Sequence, residues 1–379
     1  MKRMPRMKVM TIVGTRPEII KLSLVIAELD RCVRHVLVHT GQNYDYELNR
    51  IFFDGLGMRT PDHFLSAAKG SPAQTIGNII SKADAVMANE LPEALLLLGD
   101  TNSCLAAIAA KRRKIPIFHM EAGNRSFDER VPEEVNRRIV DHISDINMPY
   151  TEHARRYLLR EGIRPETVIK TGSPMREVLG HYEKEIAGSR VLSRLKLQSK
   201  GYFVVSAHRE ENIDDPRNFA DLLASLEAVS RHYRRRVIVS THPRTRKKLE
   251  SLSRRALPAK VEFLKPLGFF DYVKLQTEAY CVLSDSGTLT EESAILGFPA
   301  VMIRQAHERP EGMDEGILIM SGLSPARVLD AIRVSVAHRA GDGDSFTAPA
   351  DYDANNVSRK VVRIILGYAD YVNRTVWRR

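Results

Sequence analysis

Two α/β domains, each a parallel sheet covered by helices, are predicted by three features of the sequence. Strand-like apolar runs alternate with helical patterns from end to end, which is the signature of repeated β–α units. The series halts in the polar segment 174–200 and then begins again. Several apolar runs end on glycine-containing or charged turns, the place where open α/β sheets bind ligands. The expected architecture is two Rossmann-like halves with the active site in the cleft between them. Residues 1–174 form the first half and 175–354 the second.

In chain order, "KVMTIV" (8–13) leads to a helix near 17–29, and "HVLVHT" (35–40) to one near 45–54. "ALLLLG" (94–99) precedes a helix from Thr101 to about Arg112. "IPIFHM" (115–120) is followed by a helix near 133–145, and "INMPY" (146–150) by one near 152–161. The second series runs "YFVVSAH" (202–208), a helix near 216–232, "VIVSTH" (237–242), "VEFL" (261–264), "CVLSDSG" (281–287) and "AVMIR" (300–304). A last helix, near 355–373, can belong to either half on pattern alone.

The 379 residues suffice for two ordinary domains, and 43% hydrophobic with 27% charged residues is a globular composition. Cys32, Cys104 and Cys281 lie far apart and form no metal or redox pattern, which suits a reducing cytoplasm. The apolar stretch of "MKRMPRMKVMTIVGTRPE" is too short for a signal peptide, and no run reaches the ~20 residues of a membrane span. A soluble cytoplasmic protein is expected. The net charge of +10 is spread over scattered clusters such as "KRRK" (111–114) and "RTRKK" (244–248), without interleaved aromatics. That argues against nucleic acid, while such a field would attract an anionic small substrate.

The turns carry the chemistry. "GTRPEIIK" opens a helix with Arg16 and Lys21 near its N-terminus, an anion site that is neither a Walker A loop nor GxGxxG. In "SDSGTLTEES", Ser286, Gly287 and Thr288 open another helix as a phosphate cradle, with Glu292 a turn further in for ribose hydroxyls. A plain helix cap with a solvent-facing glutamate is the alternative there. "HMEAGNR" places Glu121 after a strand, and "VPEEVNRR" places Glu133 and Glu134 in a helix's first turn, where acids also offset the dipole. "VSAHREEN" sets His208 at a strand tip. "EALLLLGDTNSCLAA" ends an apolar strand on Asp100, which is either a helix cap or a working acid. Asp100, Glu121, Glu133 and His208 would gather around one cleft with two anion sites. No metal cluster, nicotinamide fingerprint or serine elbow accompanies them, so acid–base work beside a phosphorylated ligand remains.

These motifs, in this order and with "HERPEG" (307–312), resemble the non-hydrolysing UDP-N-acetylglucosamine 2-epimerase family over residues 7 to 370. The resemblance implies a GT-B-type pair of Rossmann-like halves, with the 355–373 helix crossing back to the first. It implies catalytic roles for Asp100, Glu121, Glu133 and His208, and selects chemistry over capping for Asp100. It also implies substrate binding by Arg16, Lys21, Tyr272, Ser286, Gly287, Thr288, Glu292 and Arg309. The reaction implied is inversion at C2 by loss and return of UDP, with no cofactor or metal, in a homodimer without nucleic-acid or membrane partners.

Three departures bear on the substrate. "GQNYDYELN" puts Asn43 where many members have histidine, followed by Tyr44, Asp45 and Tyr46. "SDSGT" replaces SDSGG or TDSGG, and "AHERPEG", with His307, replaces a threonine-rich TERPE. These are similar to the branch acting on UDP-2-acetamido-2,6-dideoxy-L-talose, which gives UDP-N-acetyl-L-fucosamine. A UDP-N-acetylglucosamine 2-epimerase proper, a GT-B glycosyltransferase and a silent nucleotide-sugar binder are the competing expectations.

Overall fold

The computed structural model describes residues 6–41, 52–250, 260–340 and 347–379. The chain divides into two compact units, Met1–Gly180 with Asp351–Arg379, and His181–Ala350. The stretch carrying Asn43, Tyr44, Asp45 and Tyr46, with most of the helix expected near 45–54, lies outside the described residues.

In the first unit the strands are β1 (Lys8–Val13), β2 (Arg34–His39), β3 (His63–Phe64), β4 (Ala94–Leu98), β5 (Ile117–Met120) and β6 (Ile146–Met148). They form a parallel sheet in the order β3-β2-β1-β4-β5-β6. Every residue of β4 is buried, as a strand covered on both faces must be. Burial of each of its leucines contributes about 1.5–3 kcal/mol. Met10, Ile12, Leu95 and Leu97 pack with Ile79, Ala83 and Met87 of the helix Pro72–Glu90.

That helix is not among those expected from the sequence. Its buried positions Thr75, Ile79, Ala83 and Met87 recur every four residues, but two are small or polar, so the apolar stripe is faint. The stronger signal was its start: Ser71 and Gln74 cap each other's backbone amides reciprocally. The helix expected from Thr101 to Arg112 instead begins as a 3₁₀ turn, Asn102–Ala106, and becomes α-helical over Ala107–Arg112. Ser103 is held there by Thr40, with the hydroxyls 2.8 Å apart, and Cys104 bonds back three residues to Thr101.

The last helix, Val357–Thr375, belongs to the first unit and packs beside the helix Arg16–Cys32. It buries Val357, Val361, Val362, Ile365, Ala369 and Val372 along one face. Lys360 anchors its start by donating to the Thr171 carbonyl at 3.0 Å.

The second unit repeats the plan. β7 (Tyr202–Ser206), β8 (Arg236–Ser240), β9 (Val261–Leu264), β10 (Cys281–Ser284), β11 (Ala300–Met302) and β12 (Ile319–Met320) are parallel in the order β12-β11-β10-β7-β8-β9. Strand order therefore reverses between β1 and β4 in one unit and between β7 and β10 in the other. Chains leaving such neighbouring strands in opposite directions open a crevice at their carboxyl ends. The turns after these four strands hold Arg16, Asp100, His208 and Ser286. Among the described residues no helix is long and apolar enough to cross a membrane.

Candidate active site

In the first unit, β4 pairs with β5 so that Leu98 lies opposite Met120. Asp100 and Glu121 follow those residues closely, so two carboxylates leave adjacent strand ends. Each is matched by a cation. Asp100 Oδ2 lies 2.6 Å from Arg137 Nη2, and Glu121 Oε2 lies 2.6 Å from Lys21 Nζ. Arg137 and Lys21 are both buried, at 3% exposure each. Lys21 also sits over the Tyr150 ring, 5.6 Å from its centroid, and the Arg16 guanidinium lies 5.5 Å from that of Phe52.

Asp100 is not the cap of the following turn. Thr101 takes that post, accepting from the Ser103 amide at 3.3 Å. The Asp100 backbone is fixed separately, its carbonyl accepting from Asn136 Nδ2 at 3.0 Å. Glu121 has φ +62°, a left-handed conformation that costs a non-glycine residue free energy.

The two glutamates of "VPEEVNRR" part company. Glu134 is fully buried and accepts from the amides of Ser126 and Phe127 at 3.0 and 3.3 Å, tying down the loop after β5. Glu133 is partly exposed in the first turn of the helix Pro132–Ile143.

Sequence reasoning did not single out Glu18. It is 1% exposed, with Oε2 accepting from Gly14 and Thr15 amides at 2.9 and 2.6 Å. Its Oε1 accepts from the Thr101 hydroxyl at 2.9 Å, so one carboxyl joins the β1 turn to the β4 turn. Thr15-x-x-Glu18 is legible as a capping box, but the contact across to Thr101 is not. Arg137 escaped for the same reason, its partner lying 37 positions away in sequence.

In the second unit, His208 follows β7 and Asp285 follows β10. Asp285 is fully buried and accepts from the His208 and Arg209 amides at 2.9 and 3.0 Å and from Asn212 Nδ2 at 3.1 Å. Burial pushes its carboxyl up, against the pull of those donors. His208 Nδ1 lies 3.2 Å from Asp285 Oδ1, which orients the ring.

The Ser286–Gly287–Thr288 turn opens the helix Thr288–Leu296, with Gly287 at its N-cap and the two hydroxyls 3.0 Å apart. Glu292 accepts from Gln276 Nε2 at 2.7 Å, and Tyr272 is half-buried on the neighbouring helix Phe269–Glu278. Arg309 is buried against Glu291 at 3.0 Å, a partner the sequence did not announce. Among the described residues no group of three His, Cys, Asp or Glu is placed to hold a metal.

Burial raises the Glu18 carboxyl from 4.5 to about 7, although four hydrogen bonds pull it down. A raised value means that the folded state holds this proton more tightly than the unfolded chain does. That stability is complete below pH 4.5 and is lost as pH rises through about 7. Glu18→Gln keeps the shape and can still meet the amides and Thr101. The variant should therefore gain on the wild type by up to about 3 kcal/mol between pH 4.5 and 8, read as the difference in urea midpoints. A difference that does not change with pH would show that Glu18 stays ionised.

Comparison with known proteins gives a consistent result. Residues 27–366 match the model of the family described as UDP-N-acetylglucosamine 2-epimerase. A UDP-N-acetylglucosamine 2-epimerase of Methanococcus maripaludis is 35% identical over 352 residues, covering 89% of this chain and 96% of the relative. A UDP-2,3-diacetamido-2,3-dideoxy-D-glucuronate 2-epimerase of Pseudomonas aeruginosa is 32% identical, covering 89% of this chain and 94% of the relative. Among solved structures, the UDP-N-acetylglucosamine 2-epimerase of Rickettsia bellii is 54% identical with a TM-score of 0.91, over 99% of this chain and 100% of that one. The Methanocaldococcus jannaschii enzyme, in complex with UDP-GlcNAc and UDP, is 30% identical with a TM-score of 0.87, over 95% of this chain and 100% of that one. The chain belongs to the UDP-N-acetylglucosamine 2-epimerase family, and it is an isomerase.

Proposed function

We propose that the chain inverts C2 of a UDP-N-acetylhexosamine by elimination and re-addition of UDP. The observation that carries this reading is the pair of cation-matched carboxylates, Asp100 and Glu121, at the ends of adjacent strands. The C2 proton of a sugar has no neighbouring carbonyl and is hardly acidic. Stretching the C1–O bond places positive charge at C1 and acidifies it. The C1–O electron pair leaves on the diphosphate, a carboxylate takes the C2 proton, and the C2–H pair becomes the C1–C2 double bond. Return of a proton to the other face, with diphosphate oxygen adding to C1, gives the epimer.

The residues divide this work. Arg16, Lys21, Arg309 and the Ser286–Thr288 turn stabilise the departing diphosphate, the electrostatic role that contributes most when donors are fixed in advance. Tyr272 supports the base and Glu292 the ribose. Asp100, Glu121, Glu133 and His208 exchange protons with the ring and the diphosphate. The three cysteines are free thiols, in keeping with a cytoplasmic site of action.

For the sugar, the favoured reading is UDP-2-acetamido-2,6-dideoxy-L-talose, giving UDP-N-acetyl-L-fucosamine. Thr288 in place of a second glycine and His307 before the Glu308–Arg309 pair support it. UDP-N-acetylglucosamine, giving the manno epimer, is the second reading, and the names of the Methanococcus and Rickettsia relatives favour it. The Pseudomonas relative is named for a third N-acetylated sugar, so the family does not hold to one ring. Initial rates on the two UDP-sugars decide. Faster turnover of the 6-deoxy-L-sugar supports the first reading. Efficient, sigmoidal turnover of UDP-N-acetylglucosamine would overturn it.

Asp100→Asn should retain UDP binding, seen as an unchanged rise in melting temperature with UDP. Its turnover should fall by ~10²–10⁴-fold, the usual contribution of a positioned acid or base. Near-wild-type turnover would remove Asp100 from the chemistry.

A further inference from the structure

Directly behind Asp100 and Glu121 lies a chain of buried charges that the reaction as described does not use. His119, on β5, is fully buried. Its Nε2 donates to the Gly99 carbonyl at 2.7 Å, and Gly99 is the residue before Asp100. Its Nδ1 lies 3.0 Å from Asp141 Oδ1, as an ion pair rather than an aligned hydrogen bond. Asp141, equally buried on the helix Pro132–Ile143, accepts from the Gly123 amide at 3.1 Å, two residues beyond Glu121. Arg125 closes the other side of Asp141 at 2.7 Å and continues to Glu161 at 2.6 Å.

A carbonyl is an acceptor only, so Nε2 carries a proton, and the carboxylate 3.0 Å from Nδ1 favours a second proton there. A lone pair turned towards Asp141 would be repelled. The electrostatic balance agrees. Burial alone would push the imidazole down, but Asp141, the Gly99 carbonyl and Asp100 raise it instead. Asp141 in turn is held low by His119 and Arg125 against its own burial. The charged groups facing His119 are thus Asp141 and Arg125 on one side and Asp100 on the other. Asp100 faces Arg137 as well.

We propose that His119, a buried imidazolium on Asp141, is a positioning residue that fixes the turns carrying Asp100 and Glu121 and places a second positive charge behind Asp100. This rests on the reading of those two acids as the proton-transfer groups. The geometry explains why a strand interior, where an aliphatic residue would pack at less cost, carries a histidine. An apolar side chain would leave the Gly99 carbonyl and Asp141 without this partner and would take one positive charge from behind Asp100.

His119→Gln tests it, because glutamine can still donate to Gly99 but brings no charge. The acid limb of the kcat/KM profile should move up by about 1 pH unit, since Asp100 then protonates more readily. Turnover lost on the acid side should be regained as pH rises above the displaced limb, with UDP binding unchanged. A fall in turnover with the limb unmoved would reduce His119 to a structural role, and wild-type behaviour would make it a spectator. Asp141→Asn, which withdraws the anion that holds the second proton, should move the limb the same way. Should neither variant fold, nitrogen-15 NMR of the wild type serves: one histidine must keep both ring protons to a higher pH than an ordinary histidine of pKa 6.5, and its absence overturns the proposal. A wild type that does not epimerise any UDP-sugar would instead sink the reaction reading, with the NMR result still deciding the state of His119.

Discussion

The first unit depends on one electrostatic constraint: two carboxylates at neighbouring strand ends must coexist in a partly buried site. Parallel strands lie about 4.8 Å apart, so groups leaving β4 and β5 at the same level repel unless each is neutralised. Lys21 and Arg137 do this from opposite sides, one from the helix after β1 and one from the helix after β5. Both cations are buried, so losing either takes a desolvated counter-charge from its carboxylate, the costly way to break a buried ion pair. The surrounding features follow from holding these four groups still. Glu18 joins the β1 turn to the β4 turn, Asn136 holds the Asp100 backbone, and Glu134 closes the loop after Glu121.

The second unit solves a related problem with one carboxylate. Asp285 gathers the amides of His208 and Arg209 and the side chain of Asn212, joining the β7 turn to the β10 turn. In both units a buried acid links the two turns flanking the reversal of strand order, Glu18 in one and Asp285 in the other. The residues beside them to which function is proposed, Arg16 and Asp100 in the first unit and His208 and Ser286 in the second, stand on the turns so linked. Arg309 and Glu291 form a further buried pair in this unit, which holds the guanidinium in one orientation.

Much of this was legible in the sequence, for physical reasons. Strands buried on both faces must be apolar throughout, so "ALLLL" and "CVLS" declare themselves, and chemistry at strand ends follows from topology. The helix Pro72–Glu90 was missed because Thr75 and Ala83 blur its apolar stripe. The sequence left open whether Asp100 caps a helix, because Asp and Thr both cap well and Thr101 stands next to it. It also could not separate Glu133 from Glu134, adjacent acids whose fates depend on which one turns into the loop. Arg137, His119 and Asp285 were hidden because their importance lies in partners distant along the chain. The family resemblance supplied the acids; the fold supplied what holds them.

The central claim is proton exchange at C2 by these acids, with the C1–O bond opening and closing. Following the C2 proton by NMR while the protein turns over a UDP-N-acetylhexosamine in D2O tests it most directly. The account predicts solvent deuterium at C2 appearing in step with inversion, in both epimers at equilibrium. Inversion with the original C2 proton retained, or free UDP and a glycoside in place of the epimer, would contradict it.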